Sequence, residues 1–178
     1  MKNLLFSGLL LAFLCGMSAF SMPKTGAPPA ELKWYTWEQA QELQKTAPRP
    51  IFVDVYTDWC GWCKRMDKTT FADSAVVAYM SAHYYPVKFD AEQKADLVFA
   101  GQTFKFQAQG ARGVHEFAVA LLDGKMGYPS YVYFTPKNER IMVSPGYKEA
   151  ADLMKELRFA KEEKYKTTTW EKYRDGGQ

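Results

Sequence analysis

Apolar and polar positions alternate along this chain in blocks that change period, and the changes mark its elements. Ile51 to Thr57 is apolar almost throughout, the pattern of a strand buried on both faces. A helix is predicted from about Cys60 to Thr69. Asp73 caps another, with Val76, Val77 and Met80 at helical spacing. Tyr84 to Phe89 reads as a second inner strand, and Ser130 to Phe134 as a third, preceded by Gly127-Tyr128-Pro129. A turn at Pro136 to Glu139 leads into a paired strand, Arg140 to Val143, and Lys148 to Ala160 forms an amphipathic helix carrying Ala151, Met154 and Leu157. Near the start, Leu32 to Tyr35 fits a short strand. Thr36 with Gln39 forms a capping box for a helix from Trp37 to Lys45, which Pro48 and Pro50 close.

The stretch from Asp90 to Lys125 is harder to read. Leu97-Val98-Phe99 and Thr103 to Phe106 suit a hairpin around Ala100-Gly101-Gln102. Gln107 to Gly113 is loop-like. His115 to Leu122 suits a helix with Phe117, Ala118, Leu121 and Leu122 turned inward, His115 capping or packing it. Lys161 to Gln178 is a charged, frayed helical extension, and no internal repeat is visible. Strands alternating with helices, closed by a hairpin and a helix, predict a mixed sheet covered on both faces.

The first residues follow another logic. Lys2 supplies a positive charge, Leu4 to Leu14 an apolar run, and Ser18-Ala19-Phe20-Ser21 a set of small residues. This is a secretory signal peptide pattern, with cleavage after Ser21. The run is short for a membrane span, which needs about 20 residues; a retained anchor is the alternative. Leu14 before Cys15 disfavours lipoprotein processing. The predicted organisation is therefore a signal peptide over 1–21, a Pro- and Gly-rich linker over 22–31, one domain over 32–160 and the charged extension over 161–178. The net charge of +3, of which Lys2 supplies one, is too small to argue for nucleic acid. Aromatics at 16% suggest a well-filled core and an apolar binding face.

Of three cysteines, Cys15 leaves with the signal peptide, so the mature chain holds Cys60 and Cys63 alone. One close pair is no disulfide framework, and a bridge closing so short a loop stabilises little. That favours a chemical role. Cys60 falls in the first turn of its helix, where unpaired backbone N–H groups and the dipole favour a thiolate. On one helix face the two Cβ atoms would lie about 5–6 Å apart. A small adjustment brings them to the roughly 3.5–4.5 Å that a disulfide needs. An inert disulfide or half of a zinc site is the plainer alternative. Zinc wants four ligands in a structural site, and His83 and His115 show no ligand spacing to the pair, so neither metal nor cofactor is expected. Asp54 is a carboxylate inside an apolar strand, and burial there raises its pKa. Trp59 and Trp62 flank the thiols, either as core or as an apolar contact surface, and Lys64 reads as a solvated helix residue.

Val53-Asp54-Val55-Tyr56-Thr57-Asp58-Trp59-Cys60-Gly61-Trp62-Cys63-Lys64 resembles the active-site strand and turn of the thioredoxin family throughout. Lys88 sits where that family carries a lysine on the next inner strand, Tyr128-Pro129 resembles its cis-proline segment, and Gly146 fits its closing strand. The resemblance runs from about Trp34 to Ala160. It implies a thioredoxin-like α/β fold, with a central mixed sheet, helices on both faces and an insertion over 91–126. It also implies roles: Cys60 as nucleophile, Cys63 as resolving thiol, Asp54 as proton acceptor behind Cys63, and Lys88 tuning Asp54. Trp59, Gly61, Trp62, Tyr128 and Pro129 would meet the substrate. The central Gly-Trp dipeptide and the long insertion depart from the simplest members and are closer to exported bacterial thioredoxin-like proteins. The implied function is a periplasmic thiol-disulfide oxidoreductase, a monomer that reduces or isomerises disulfide-containing protein substrates and exchanges electrons with a membrane-bound donor or acceptor. The alternative is a redox-inactive adaptor or chaperone holding clients through Trp62, Tyr128 and the insertion, against which both cysteines argue. A peroxidase of the same fold ranks last, because Asp58-Trp59 precedes Cys60 where a peroxidatic Thr or Pro environment is expected.

Overall fold

The computed structural model describes residues 31–176. The expected signal peptide, with Cys15, and almost all of the expected linker lie outside the described residues. The first helix, α1 (Trp37–Gln44), starts as its capping box requires: Thr36 Oγ1 accepts from the Gln39 N–H at 3.2 Å, and Gln39 Oε1 accepts from the Thr36 N–H at 3.0 Å. It stops where the Gln44 side-chain amide bonds both backbone groups of Arg49, between the two prolines.

The sheet has four strands in the order β2-β1-β7-β8, with β1 (Ile51–Tyr56) parallel to β2 (Tyr85–Asp90) and antiparallel to β7 (Ser130–Phe134). Antiparallel β8 (Arg140–Pro145) closes the other edge. The expected first strand shrinks to a single bridge between Tyr35 and Val87, so β2 ends the ladder. Side chains of β1 alternate across the sheet. Val53 and Val55 join one core with Trp37, Phe89, Phe117, Val132 and Phe134. Phe52 joins the other with Met66, Tyr131, Tyr133 and Leu157. The helices that cover this second core are α2 (Gly61–Lys68), with Met66, α3 (Ser74–His83), with Val76, Val77 and Met80, and the later helix α5 (Ala150–Lys161), with Leu157. The period of two places Asp54 on the Phe52 side, under α2. Ladder register sets Lys88 and Tyr131 beside it. Among the described residues no helix is long and apolar enough to cross a membrane.

Between β2 and β7 the chain builds two hairpins. The expected one pairs β3 (Leu97–Phe99) with β4 (Gln102–Phe104) around Ala100-Gly101, both at positive φ (50° and 79°) as a tight primed turn requires. The second was not foreseen: the loop expected over Gln107 to Gly113 is a hairpin of β5 (Phe106–Gln109) with β6 (Arg112–His115). Phe106-Gln107-Ala108-Gln109 does alternate apolar and polar residues, but four residues with one large apolar side chain, followed by Gly110, Ala111, Arg112 and Gly113, read equally well as a loop. The strands of this hairpin approach so closely at Gly113 that a Cβ there would fall 2.3 Å from the Phe106 ring and 2.4 Å from the Gln107 carbonyl oxygen. β6 runs into α4 (Glu116–Leu121), which His115 caps: its Nδ1 accepts from the Phe117 N–H at 3.1 Å, leaving Nε2–H for the Ala95 carbonyl at 3.1 Å. The inward set Phe117, Ala118, Leu121 and Leu122 is as expected.

Two later elements differ from the sequence reading. The buried residues of α5 are Leu153, Glu156, Leu157, Phe159 and Ala160, while Ala151 is exposed and Met154 half-buried. A buried glutamate breaks the apolar stripe and disguises the inward face. Its carboxylate accepts from Tyr133 Oη at 2.8 Å and Ser144 Oγ at 2.6 Å, with Lys148 Nζ at 3.5 Å. The tail is also not frayed. It turns through a 3₁₀ segment (Lys164–Lys166) into α6 (Trp170–Arg174), whose Trp170 and Tyr173 rings pack 5.5 and 5.2 Å from that of Phe159.

Candidate thiol-disulfide site

β1 ends at Tyr56, and Thr57 accepts from the Cys60 N–H at 3.1 Å, closing a tight turn into α2. Cys60 is the N-cap of that helix. Its backbone is extended and its Sγ accepts from the Cys63 N–H at 3.1 Å. An N-cap normally offers oxygen to the free N–H groups of the first turn; here sulfur does so. The same donors and the helix dipole stabilise a thiolate at Cys60 once the bond is reduced. Cys60 and Cys63 are joined by a disulfide with their Cα atoms 5.3 Å apart. Both are largely buried, Cys60 slightly less so at 4% exposed against 2%. Gly61 between them leaves open space where a side chain would stand.

The tryptophans are not core. Trp59 is 50% exposed and Trp62 56% exposed. Trp59 is pinned by neighbours: its Nε1–H donates to Glu92 Oε1 at 3.0 Å, its ring meets Tyr128 edge-on at 5.8 Å, and the Arg112 guanidinium lies 4.5 Å from it. That contact sets Tyr128-Pro129, joined by a cis peptide bond, beside the thiol turn. Trp62 leans on Tyr147 at 5.4 Å on the opposite side. Lys64 is exposed.

Asp54 is buried on the α2 side of the sheet, with Oδ2 2.9 Å from Lys88 Nζ. Burial raises its pKa and Lys88 lowers it; burial prevails and leaves it at about 6. Lys88 is shared. Asp67 on α2 also pairs with its ammonium, and the Trp34, Tyr56 and Phe71 rings surround it at 4.7, 5.1 and 5.4 Å. Burial alone would lower the lysine's pKa, but the two carboxylates outweigh it and the net shift is upward. An open cleft of about 470 Å³, lined by Trp34, Asp67, Phe71 and Lys88, connects this cluster with solvent. A carboxyl group that titrates close to neutrality can take up and release a proton. Among the described residues no group of three or more His, Cys, Asp or Glu is placed to hold a metal ion.

The structure thus gathers Cys60, Cys63, Trp59, Gly61, Trp62, Tyr128 and Pro129 at one end of the sheet, with Asp54 and Lys88 beneath. Several neighbours escaped the sequence reading. Asp67 stands four residues after Cys63, a spacing that places it on the same side of α2, so helical geometry could have nominated it. Trp34, Glu92, Arg112 and Tyr147 come from distant segments, and nothing local marks them.

Comparison with known proteins agrees with this geometry. The family model described as "Thioredox_DsbH: Protein of unknown function, DUF255" matches residues 25–176. A thiol:disulfide interchange protein DsbD of Campylobacter jejuni is 25% identical over 121 residues, covering 68% of this chain and 18% of that protein. Human spermatogenesis-associated protein 20 is 27% identical over 106 residues, 59% of this chain and 13% of that protein. The chain therefore spans less than a fifth of these relatives' length. Among solved structures, a DsbH oxidoreductase superposes with a TM-score of 0.55 at 18% identity, covering 79% of this chain and 93% of the other. A thioredoxin from Thermus thermophilus gives 0.53 at 20% identity, covering 72% and 86%. These two likenesses establish the thioredoxin-like fold. With the Cys60–Cys63 disulfide, the homologues point to thiol-disulfide redox chemistry, and on the extent of the family match this chain belongs to the DsbH-like thioredoxin family described as DUF255.

Proposed function

We propose that this protein is an exported, periplasmic thiol-disulfide oxidoreductase that reduces or isomerises protein disulfides. The observation that carries the reading is the placement of the Cys60–Cys63 disulfide at the N-cap of α2, against the cis-proline segment. In the reduced enzyme the Cys60 thiolate attacks one sulfur of a substrate disulfide. That bond breaks, the second substrate sulfur leaves as a thiolate, and a mixed disulfide forms. Cys63, its proton passing to Asp54, attacks Cys60 Sγ, releases the other substrate sulfur and restores the internal disulfide. Two electrons have passed to the substrate. A membrane-bound dithiol partner returns them, consistent with the likeness to part of DsbD. Burial raises the Asp54 pKa and Lys88 limits the rise, while Trp59, Trp62 and the Tyr128 backbone receive the substrate chain.

Insulin reduction by wild type and Cys60→Ser tests this: turnover should vanish in the variant. Equal, negligible turnover in both would refute the enzyme and leave a thioredoxin-like adaptor. The reduction potential then places the direction of flow. A value near about −270 mV belongs with reductants, and one near about −120 mV would overturn the reductase assignment.

A further inference from the structure

The surface around the disulfide presents two tryptophans, each with an arginine laid against it. On the α2 side the Arg65 guanidinium lies 5.6 Å from the Trp62 ring and 5.4 Å from that of Tyr147. On the other side Arg112, from the second insertion hairpin, lies 4.5 Å from Trp59. Arg140 and Arg174 pair with Asp123 and Asp175, but among the described residues neither Arg65 nor Arg112 has a carboxylate within ion-pair distance, and neither does exposed Lys64. The two flanks are not equivalent. Glu92 holds the Trp59 indole and Asp58 is exposed next to it, so carboxylates accompany Arg112. On the α2 flank the acidic residue of the helix, Asp67, is engaged with Lys88, leaving Lys64 and Arg65 uncompensated. A guanidinium stacked on aromatic rings keeps its charge and its edge donors while losing rotational freedom in advance, which lowers the entropy cost of gripping a carboxylate. A half-exposed indole beside it supplies the apolar contact that anchors an interface.

We infer that Arg65, Trp62 and Tyr147 form a subsite for an acidic residue flanking the substrate's cysteine, with Arg112 and Trp59 framing the opposite side of the cleft. The preferred partner is an extended polypeptide carrying Asp or Glu within a few residues of its disulfide, its carboxylate on Arg65 and its neighbouring side chain on Trp62. Turnover of such a partner rests on the dithiol chemistry proposed above, whereas its capture does not.

The test uses two disulfide peptides identical except for Glu or Lys beside the cysteine, followed by kcat/KM with reduced full-length protein. Alongside, Ser-for-Cys versions of both peptides are titrated onto the oxidised protein. Wild type should favour the Glu peptide about fivefold in both measurements, the upper range for an exposed ion pair, and the preference should shrink in 1 M salt. Arg65→Gln should bring the ratio near one, and Arg65→Lys should retain part of it. A wild-type ratio of one, a preference for Lys, or a ratio untouched by Arg65→Gln overturns the subsite. If neither peptide is reduced, the oxidoreductase reading fails, and the binding ratio still decides this inference.

Discussion

Asp54→Asn should make the folded protein more stable while it slows exchange. The carboxyl titrates at an ordinary 3.8 in the unfolded chain and at about 6 when folded, because burial opposes its charge more than Lys88 supports it. Each unit is worth about 1.4 kcal/mol, so ionised Asp54 costs the fold about 3 kcal/mol above pH 6. The sign follows from proton uptake. Between pH 4 and 6 the folded state binds more protons than the unfolded one, so stability falls as pH rises through that window and is flat above it. Asn fills the same volume without the charge. The attraction of Lys88 is already contained in that figure, and the ammonium keeps Asp67 as a partner. The expected result is a variant more stable by about 3 kcal/mol at pH 8 and no more stable at pH 4. Urea unfolding of the oxidised proteins at pH 4, 6 and 8 measures it. A variant less stable at pH 8, or one whose gain is the same at every pH, would refute the reasoning.

Removing the cation instead has the opposite sign. Lys88→Gln leaves the Asp54 carboxylate buried without its partner and should cost about 3 kcal/mol at pH 8, shrinking at pH 4 where Asp54 is neutral; the same urea series reads it. Gly113→Ala forces a methyl into the Phe106 ring and the Gln107 carbonyl, and should cost about 1–3 kcal/mol. Because Arg112 lies in that hairpin and rests on Trp59, a change in tryptophan emission should accompany the loss. Trp170→Ala removes a ring packed on Phe159, lowers stability by about 1 kcal/mol and should hasten proteolysis of the last helix.

The parts of the molecule legible in advance are those where chemistry and local pattern coincide. The strand Ile51 to Tyr56 is written in continuous apolar residues, and Asp54 stands out because it interrupts them. The capping boxes and caps at Thr36 and Asp73 announce their helices one residue early. The hairpin over Phe106 to His115 is hard to read because its strands are short and Gly- and Gln-rich, and the inward face of α5 is disguised because Glu156 is a charged residue whose burial depends on Tyr133 and Ser144 of the two preceding strands.

Local order along the chain therefore carries the dithiol, its helix N-cap and the buried carboxylate, since each depends on residues within one strand–turn–helix. The surroundings of those groups depend on strand register and on how the insertion folds back. Register placed Lys88 and Tyr131 beside Asp54. Helix packing brought Asp67 onto the same ammonium, and the second hairpin carried Arg112 to Trp59. Contacts of that kind join residues far apart in the chain through geometry that no short segment encodes. They set the proton affinity and the surface that a partner meets, whereas the sulfur chemistry was already written in twelve consecutive residues, Val53 to Lys64.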